Sequence, residues 1–235
     1  MSMHPVIKGP GFHRYADGRP WLGIPHAGDV LSNLPFVMVG IMGLVLAQSV
    51  TAVPRGLVRL FFAAILGIGL GSAAYHVHPI DATLAFDWLP IVIALAWLTA
   101  LVLSDRVDQR LGRIAALVLP LLAIASVVWW WAGGGTGTTG GDMRWYGLLQ
   151  LLFVAMVPVV LVLYPKGSLA RGDLLLGVGC FVAARALHAN DRAILEATGV
   201  SGHTLKHLAA GVAAYFVLRA VRRAQPIETT APATR

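Results

Sequence analysis

Gly67-Ile68-Gly69-Leu70-Gly71-Ser72-Ala73-Ala74-Tyr75-His76, continued through Asp81 to Asp87-Trp88-Leu89-Pro90, closes one long apolar run and opens the next. Each run is long enough, at roughly 20 residues, to cross a ~30 Å hydrocarbon core. Ser72, His76 and Asp87 therefore fall near one membrane face. One other stretch has matching chemistry, Gly202-His203-Thr204-Leu205-Lys206-His207. The two are expected to fold together around a metal ion, with the rest of the chain holding them there.

The same kind of apolar run recurs outward from this point in both directions. The chain of 235 residues is 57% hydrophobic and only 12% charged, with a mean hydropathy of +0.73. A soluble domain carries about a quarter charged residues. The composition predicts an all-α membrane protein, a seven-transmembrane helix bundle. Seven spans consume about 140 residues, which leaves no room for a separate soluble domain. A net charge of +7 raises nucleic-acid binding. The basic residues lie in loops between apolar runs instead of on one surface, so no nucleic-acid partner is expected. Cys180, the single cysteine, excludes an intrachain disulfide and reads as a small core residue. The first thirty residues contain no apolar core of a signal peptide, so the first span is expected to direct insertion itself.

In chain order, residues 1–30 carry Pro5, Pro10, Pro20 and Pro25 and read as a non-helical cap outside the membrane. Spans are expected at 31–50, 57–77, 82–103, 114–131, 145–164 and 174–188, and from just after Ser201-Gly202 to 221. Pro54 and Arg55 end the first, Pro79 breaks the second, and Asp81 caps the third. Trp129-Trp130-Trp131 fits an interfacial aromatic belt. The loop 133–141 is glycine and threonine, but it lacks the Gly-Lys-Ser/Thr ending of a phosphate cradle. Residues 222–235 read as a disordered tail. Arg55, Arg59, Arg106, Arg110, Arg113, Lys166, Arg171, Arg219, Arg222 and Arg223 collect on one side, against Lys8, Arg14, Arg19, Arg144 and Arg192 on the other. The richer side is expected to be cytoplasmic, with the N-terminus outside and the C-terminus inside.

Ionisable groups within apolar spans are costly and usually functional. Ser72 and His76 share a helix face at i,i+4 spacing, as do His203 and His207. Span two ends, and spans three and seven begin, on the outer side, so these four groups and Asp87 meet at similar depth. Three histidines with an open position suit a catalytic zinc. Imidazole equally suits copper, nickel and iron, and paired histidines can also hold haem. The soluble His-Glu-x-x-His pattern is absent, with Thr204 at the glutamate position, so a base must come from elsewhere and Asp87 is the candidate. His78 and His188 read as interfacial or structural. Gly67-x-x-x-Gly71 reads as a close helix-packing face, not a nucleotide loop. Lys206 is either a cation facing a substrate or, the favoured reading, one paired with Asp191 or Glu196.

Ser72-x-x-x-His76, then Asp87-Trp88-Leu89-Pro90, then Gly202-His203-x-x-x-His207, resembles the alkaline ceramidases of the CREST superfamily of membrane hydrolases. Their pattern is Gly-x-Gly-Ser-x-x-x-His, Asp-Glu-Leu-Pro and Gly-His-x-x-x-His. Gly23-Ile24-Pro25, the segment from Asp29 to Phe36, Gly141-Asp142 and Ser201 to His207 are similar to bacterial ceramidase-like members. The resemblance thus runs from about Tyr15 to Val221. It implies a Zn2+ held by His76, His203 and His207, Asp87 acting on the metal's water, and Ser72 holding an oxyanion. It further implies hydrolysis of an N-acyl amide lipid taken from the bilayer, in a bacterial inner membrane. Trp88 stands where eukaryotic members have Glu. Those members also bind Ca2+ through an acidic N-terminal stretch, which here reads Asp17-Gly18-Arg19-Pro20-Trp21 and His26-Ala27-Gly28-Asp29. A histidine at an acidic ligand position argues against that calcium site, although Asp17 and Asp29 remain. The same catalytic groups would serve a lipid ester hydrolase, and receptor-like relatives keep similar metal residues. A histidine proton relay in a transporter is the weaker alternative, since no inverted repeat is visible.

Overall fold

The computed structural model describes residues 4–9, 11–135 and 141–224. Among them the chain is helical with no strand. α1 is Ala27–Leu31, α2 Leu34–Leu46, α3 Arg55–Val77, α4 Asp81–Arg106 and α5 Gln109–Trp130. α6 is Arg144–Leu163, α7 Arg171–Ala189, α8 Asp191–Thr198 and α9 Gly202–Arg222. Seven helical segments are long and apolar enough to cross a membrane, α1 and α2 together forming the first, from Ala27 to Leu46. This is an integral, multi-pass membrane protein.

The expected spans are all present, with corrections at their ends. The first span runs 27–46 where 31–50 was expected. Asp29 looked like a loop residue, but its carboxylate is buried and accepts from Thr204 Oγ1 at 2.7 Å, so the helix starts earlier. Pro54 and Arg55 open α3 instead of ending the first span. Asp81 is the first residue of α4 and not its cap; its carboxylate takes Lys8 Nζ and, at 2.7 Å, His13 Nε2. α5 starts at Gln109 because Asp108 caps it, its side chain accepting from Leu111 N at 2.9 Å. α9 starts on Ser201, which accepts from Thr204 N at 2.9 Å, and extends through Arg222. The rest of the expected tail, 225–235, and residues 136–140 of the glycine-threonine loop lie outside the described residues.

Pro35 breaks the first span, because it has no N–H to offer Leu31. At the break the Asp29 carbonyl accepts from Ser32 Oγ at 3.1 Å and Asn33 Nδ2 at 2.8 Å. Of the three tryptophans ending α5, Trp129 and Trp131 are exposed as a belt requires, but Trp130 is fully buried. It packs on Trp88, which in turn stacks on Tyr146 with centroids 4.5 Å apart and planes 11° from parallel. Trp88 therefore works as packing between α4, α5 and α6. Cys180 is half-buried.

The glycine face of α3 behaves as expected. A Cβ on Gly71 would fall against the Phe86 carbonyl, and one on Gly67 would lie 3.3 Å from Pro90 Cβ. This close approach of α3 to α4 brings Ser72 beside Asp87. The obstacle at Gly71 is backbone, which cannot swing aside. Gly71→Ala is expected to cost about 1–3 kcal/mol and lower the unfolding midpoint in detergent by several degrees. Gly179→Ala, with nothing within 4 Å of its Cβ, is the control and is expected to hold or raise it.

Candidate metal centre

His76 comes from the last turn of α3, His203 and His207 from the first turns of α9. All three are buried, at 0%, 2% and 2% exposure. One nitrogen from each lies within 4.8 Å of the other two, the one such group of His, Cys, Asp or Glu among the described residues. The ring centroids are 4.7 to 5.0 Å apart. His76 Nε2 and His203 Nε2 stand 3.2 Å apart. Two nitrogens held by one zinc at tetrahedral angles would be about 3.3 Å apart, so the pair is already at ligand spacing. These histidines could hold a metal ion.

The other nitrogen of His207 is arranged to leave its Nε2 free. Ser32 donates its hydroxyl proton to the Asp29 carbonyl, so its oxygen accepts from His207 Nδ1 at 2.9 Å. That bond puts the His207 proton on Nδ1 and turns Nε2 towards the cluster. His203 Nδ1 meets His188 Nδ1 at 2.9 Å, and the backbone N–H of His203 donates to Asp191 Oδ1 at 2.8 Å. His76 Nδ1 is buried with no partner. A group that orients a metal-binding imidazole through its other nitrogen is worth 10–100-fold in metal affinity. Ser32→Ala is therefore expected to weaken metal binding at the three histidines by about 10-fold or more, measured by competition with a chromogenic chelator.

Ser72 and Asp87 complete the expected group. Ser72 is buried, its Oγ 3.5 Å from His207 Nε2 and its hydroxyl beside the Asp87 carboxylate. Asp87 Oδ1 is buried with no bonding partner. Both line a cavity of ≈ 510 Å³ together with His203 and His207. Beyond these polar groups its wall is apolar, with Phe61, Ile65, Leu98, Val157 and Phe181 among the lining residues. Its size is that of a site for a ligand of drug or lipid dimensions.

The N-terminal segment closes the site from the loop side. Tyr15 lies over His203 and His76, with centroids 4.3 and 4.7 Å away. Its hydroxyl donates to Tyr75 Oη at 2.8 Å, and Tyr75 Oη meets His13 Nδ1 at 2.8 Å. Burial, with Tyr75 beside it, pushes the Tyr15 phenol up from its ordinary value, so it stays a donor. The segment is fastened further out by Ala16 N to Asp191 Oδ2 at 3.1 Å and by Arg19 to the Gly199 carbonyl at 2.7 Å.

Four outcomes differ from expectation or go beyond it. Lys206 pairs with neither Asp191 nor Glu196; it lines the cavity, with Nζ 3.4 Å from His203 Nε2. Asp191 is already occupied by two backbone N–H groups. His188 contacts His203, while His78 is exposed and contributes a helix-end carbonyl to Thr83. At the calcium positions, Asp17 is clamped by Arg19 Nε at 2.8 Å and Nη2 at 2.6 Å, and the guanidinium holds its carboxyl below the usual range. Asp29 is engaged by Thr204, and His26 takes a left-handed conformation just ahead of α1. Ser32 and Tyr15 were not singled out in the sequence.

No known family model matches the chain, and no curated protein does.

Proposed function

We propose that this protein is an intramembrane, zinc-dependent hydrolase that cleaves the amide bond of ceramide or a related N-acyl lipid, giving a fatty acid and an amine. The observation that carries this reading is three buried histidines, one nitrogen of each within 4.8 Å of the others, beside an apolar cavity with Asp87 on its wall. The motif resemblance to alkaline ceramidases supports the same chemistry. When bound, a zinc supplies a water acidified towards a pKa of ~7 and polarises the amide carbonyl. His76, His203 and His207 hold it through the nitrogens described above. Asp87 takes a proton from the attacking water as the new C–O bond forms. It returns that proton to the leaving nitrogen as the C–N bond breaks. Ser72 donates its hydroxyl towards the carbonyl oxygen as negative charge gathers there. The apolar walls hold the acyl chain and exclude bulk water. The distribution of basic residues supports a site facing outside, with the C-terminus cytoplasmic, and the resemblance to bacterial ceramidase-like proteins suggests a bacterial inner membrane.

The test is mass spectrometry of a lipid panel of ceramides, other N-acyl amines and phospholipid esters, incubated with purified protein. Loss of an amide lipid with matching free fatty acid is the expected result. Loss of an ester lipid alone would overturn the amidase reading in favour of an esterase. No change in protein shown to carry metal would overturn it in favour of a receptor.

A further inference from the structure

Two cations line the cavity, Lys206 and Arg185, and neither forms an ion pair within the described residues. Cations inside a span without a partner are costly and mark a site. Their depth follows from the helices. His188 ends α7 and His203 opens α9, and the two rings touch with centroids 4.9 Å apart. Arg185 precedes His188 by three residues on α7, and Lys206 follows His203 by three on α9. At i,i+3 each cation shares a face with its histidine and lies about 4.5 Å further along the axis into the membrane. The two helices run in opposite directions, so both cations arrive at one level, within electrostatic reach of each other.

Lys206 reaches His203 Nε2, the nitrogen a metal would take. Once that lone pair is used, the ammonium has no acceptor there. Asp87 is the one carboxylate on the wall, and in the proposed reaction it serves as base. Among the lining residues two basic side chains thus stand against one carboxylate, while Asp29 and Asp191 act on Lys206 from behind the wall.

We infer that Lys206 and Arg185 form a subsite for an anionic head group, so that the lipid this protein takes is an acyl chain amide-linked to an amine bearing a carboxylate or phosphate. This rests on the hydrolase reading for the bond cleaved, but not for the binding. The geometry fits an N-acyl α-amino acid well. Its carboxylate lies two bonds from the amide nitrogen, and Lys206 lies beside the metal ligands. Arg185, with its planar fork, suits either anion. Tyr146 and Gln150 line the same part of the cavity from α6, Gln150 Nε2 donating to Tyr146 Oη at 3.4 Å.

The experiment uses full-length protein in nanodiscs, metal-free and zinc-loaded. Binding is read by scintillation proximity, each probe carrying a tritiated palmitoyl chain. The probes are N-palmitoylglycine, N-palmitoylethanolamine and the phosphate ester of the latter, so the two anions are compared against one neutral lipid. An anionic probe is expected to bind about tenfold tighter or more, the scale of one charge-assisted pair. Arg185→Gln and Lys206→Gln are expected to bring that ratio towards one, and Arg185→Glu to invert it. Equal affinities in the wild-type protein, or an unchanged ratio in these variants, would overturn the subsite. Turnover of each probe separates the two readings. Hydrolysis with no anionic preference removes the subsite and keeps the hydrolase. Anionic preference with no hydrolysis of any probe keeps the subsite and removes the hydrolase.

Discussion

Replacing His207 by alanine is expected to reduce bound zinc from about one ion per chain to near zero and to abolish lipid hydrolysis. Of the three histidines His207 is the most firmly oriented, through Ser32 and the Asp29 carbonyl. Its loss leaves two imidazoles, too few for the closed side of a catalytic zinc site. The loss in turnover is on the order of a thousandfold or more, because a catalytic metal contributes several kcal/mol to the transition state. His76→Ala and His203→Ala are expected to behave alike. His78→Ala, at an exposed helix end, is the control and keeps its metal. Metal content by inductively coupled plasma mass spectrometry after gel filtration, beside fatty acid release, checks all four. Full turnover in a metal-free histidine variant would remove the metal from the mechanism.

Asp87→Asn is expected to separate the two functions of the site. The amide has nearly the same size and keeps contact with Ser72, so the histidines and their metal remain. It cannot accept the proton of the attacking water, and general base catalysis contributes about 10²–10⁴-fold. The expected result is unchanged zinc content with kcat lower by that factor, and little change in lipid binding measured separately. A variant that lost zinc as well would show Asp87 to be structural for the metal. One that kept its kcat would assign the base to another group.

The spans were legible because hydropathy alone reports them, and the meeting of Ser72, His76, Asp87, His203 and His207 was legible because alternating topology sets depth. What surrounds them was not. α8 has no apolar run and carries Asp191, Arg192 and Glu196, so hydropathy passes over it. Ser32 is one serine among many until Pro35 breaks the helix and aims it at His207. His188 sits at a helix end like any interfacial histidine; only the packing of α7 on α9 brings it to His203. Lys206 lies close in sequence to Asp191 and Glu196, which favoured a pair with one of them, yet Asp191 is taken by backbone groups and Lys206 lines the cavity. Tyr15 lies in a segment with no periodicity, where nothing local announces a tertiary contact.

That last contact bears on how the protein matures. Tyr15 lies across two of the three histidines, and the segment carrying it is tied to α4, α8 and the start of α6 by Lys8, Ala16 and the Val6 carbonyl, which accepts from Met143 N at 2.8 Å. A hydrated dication cannot shed its water to pass through the greasy lumen on the other side. Any ion held by these histidines would have to enter before the strap is fastened, or while it is lifted. Once enclosed, it would resist chelators for longer than its equilibrium affinity alone would indicate.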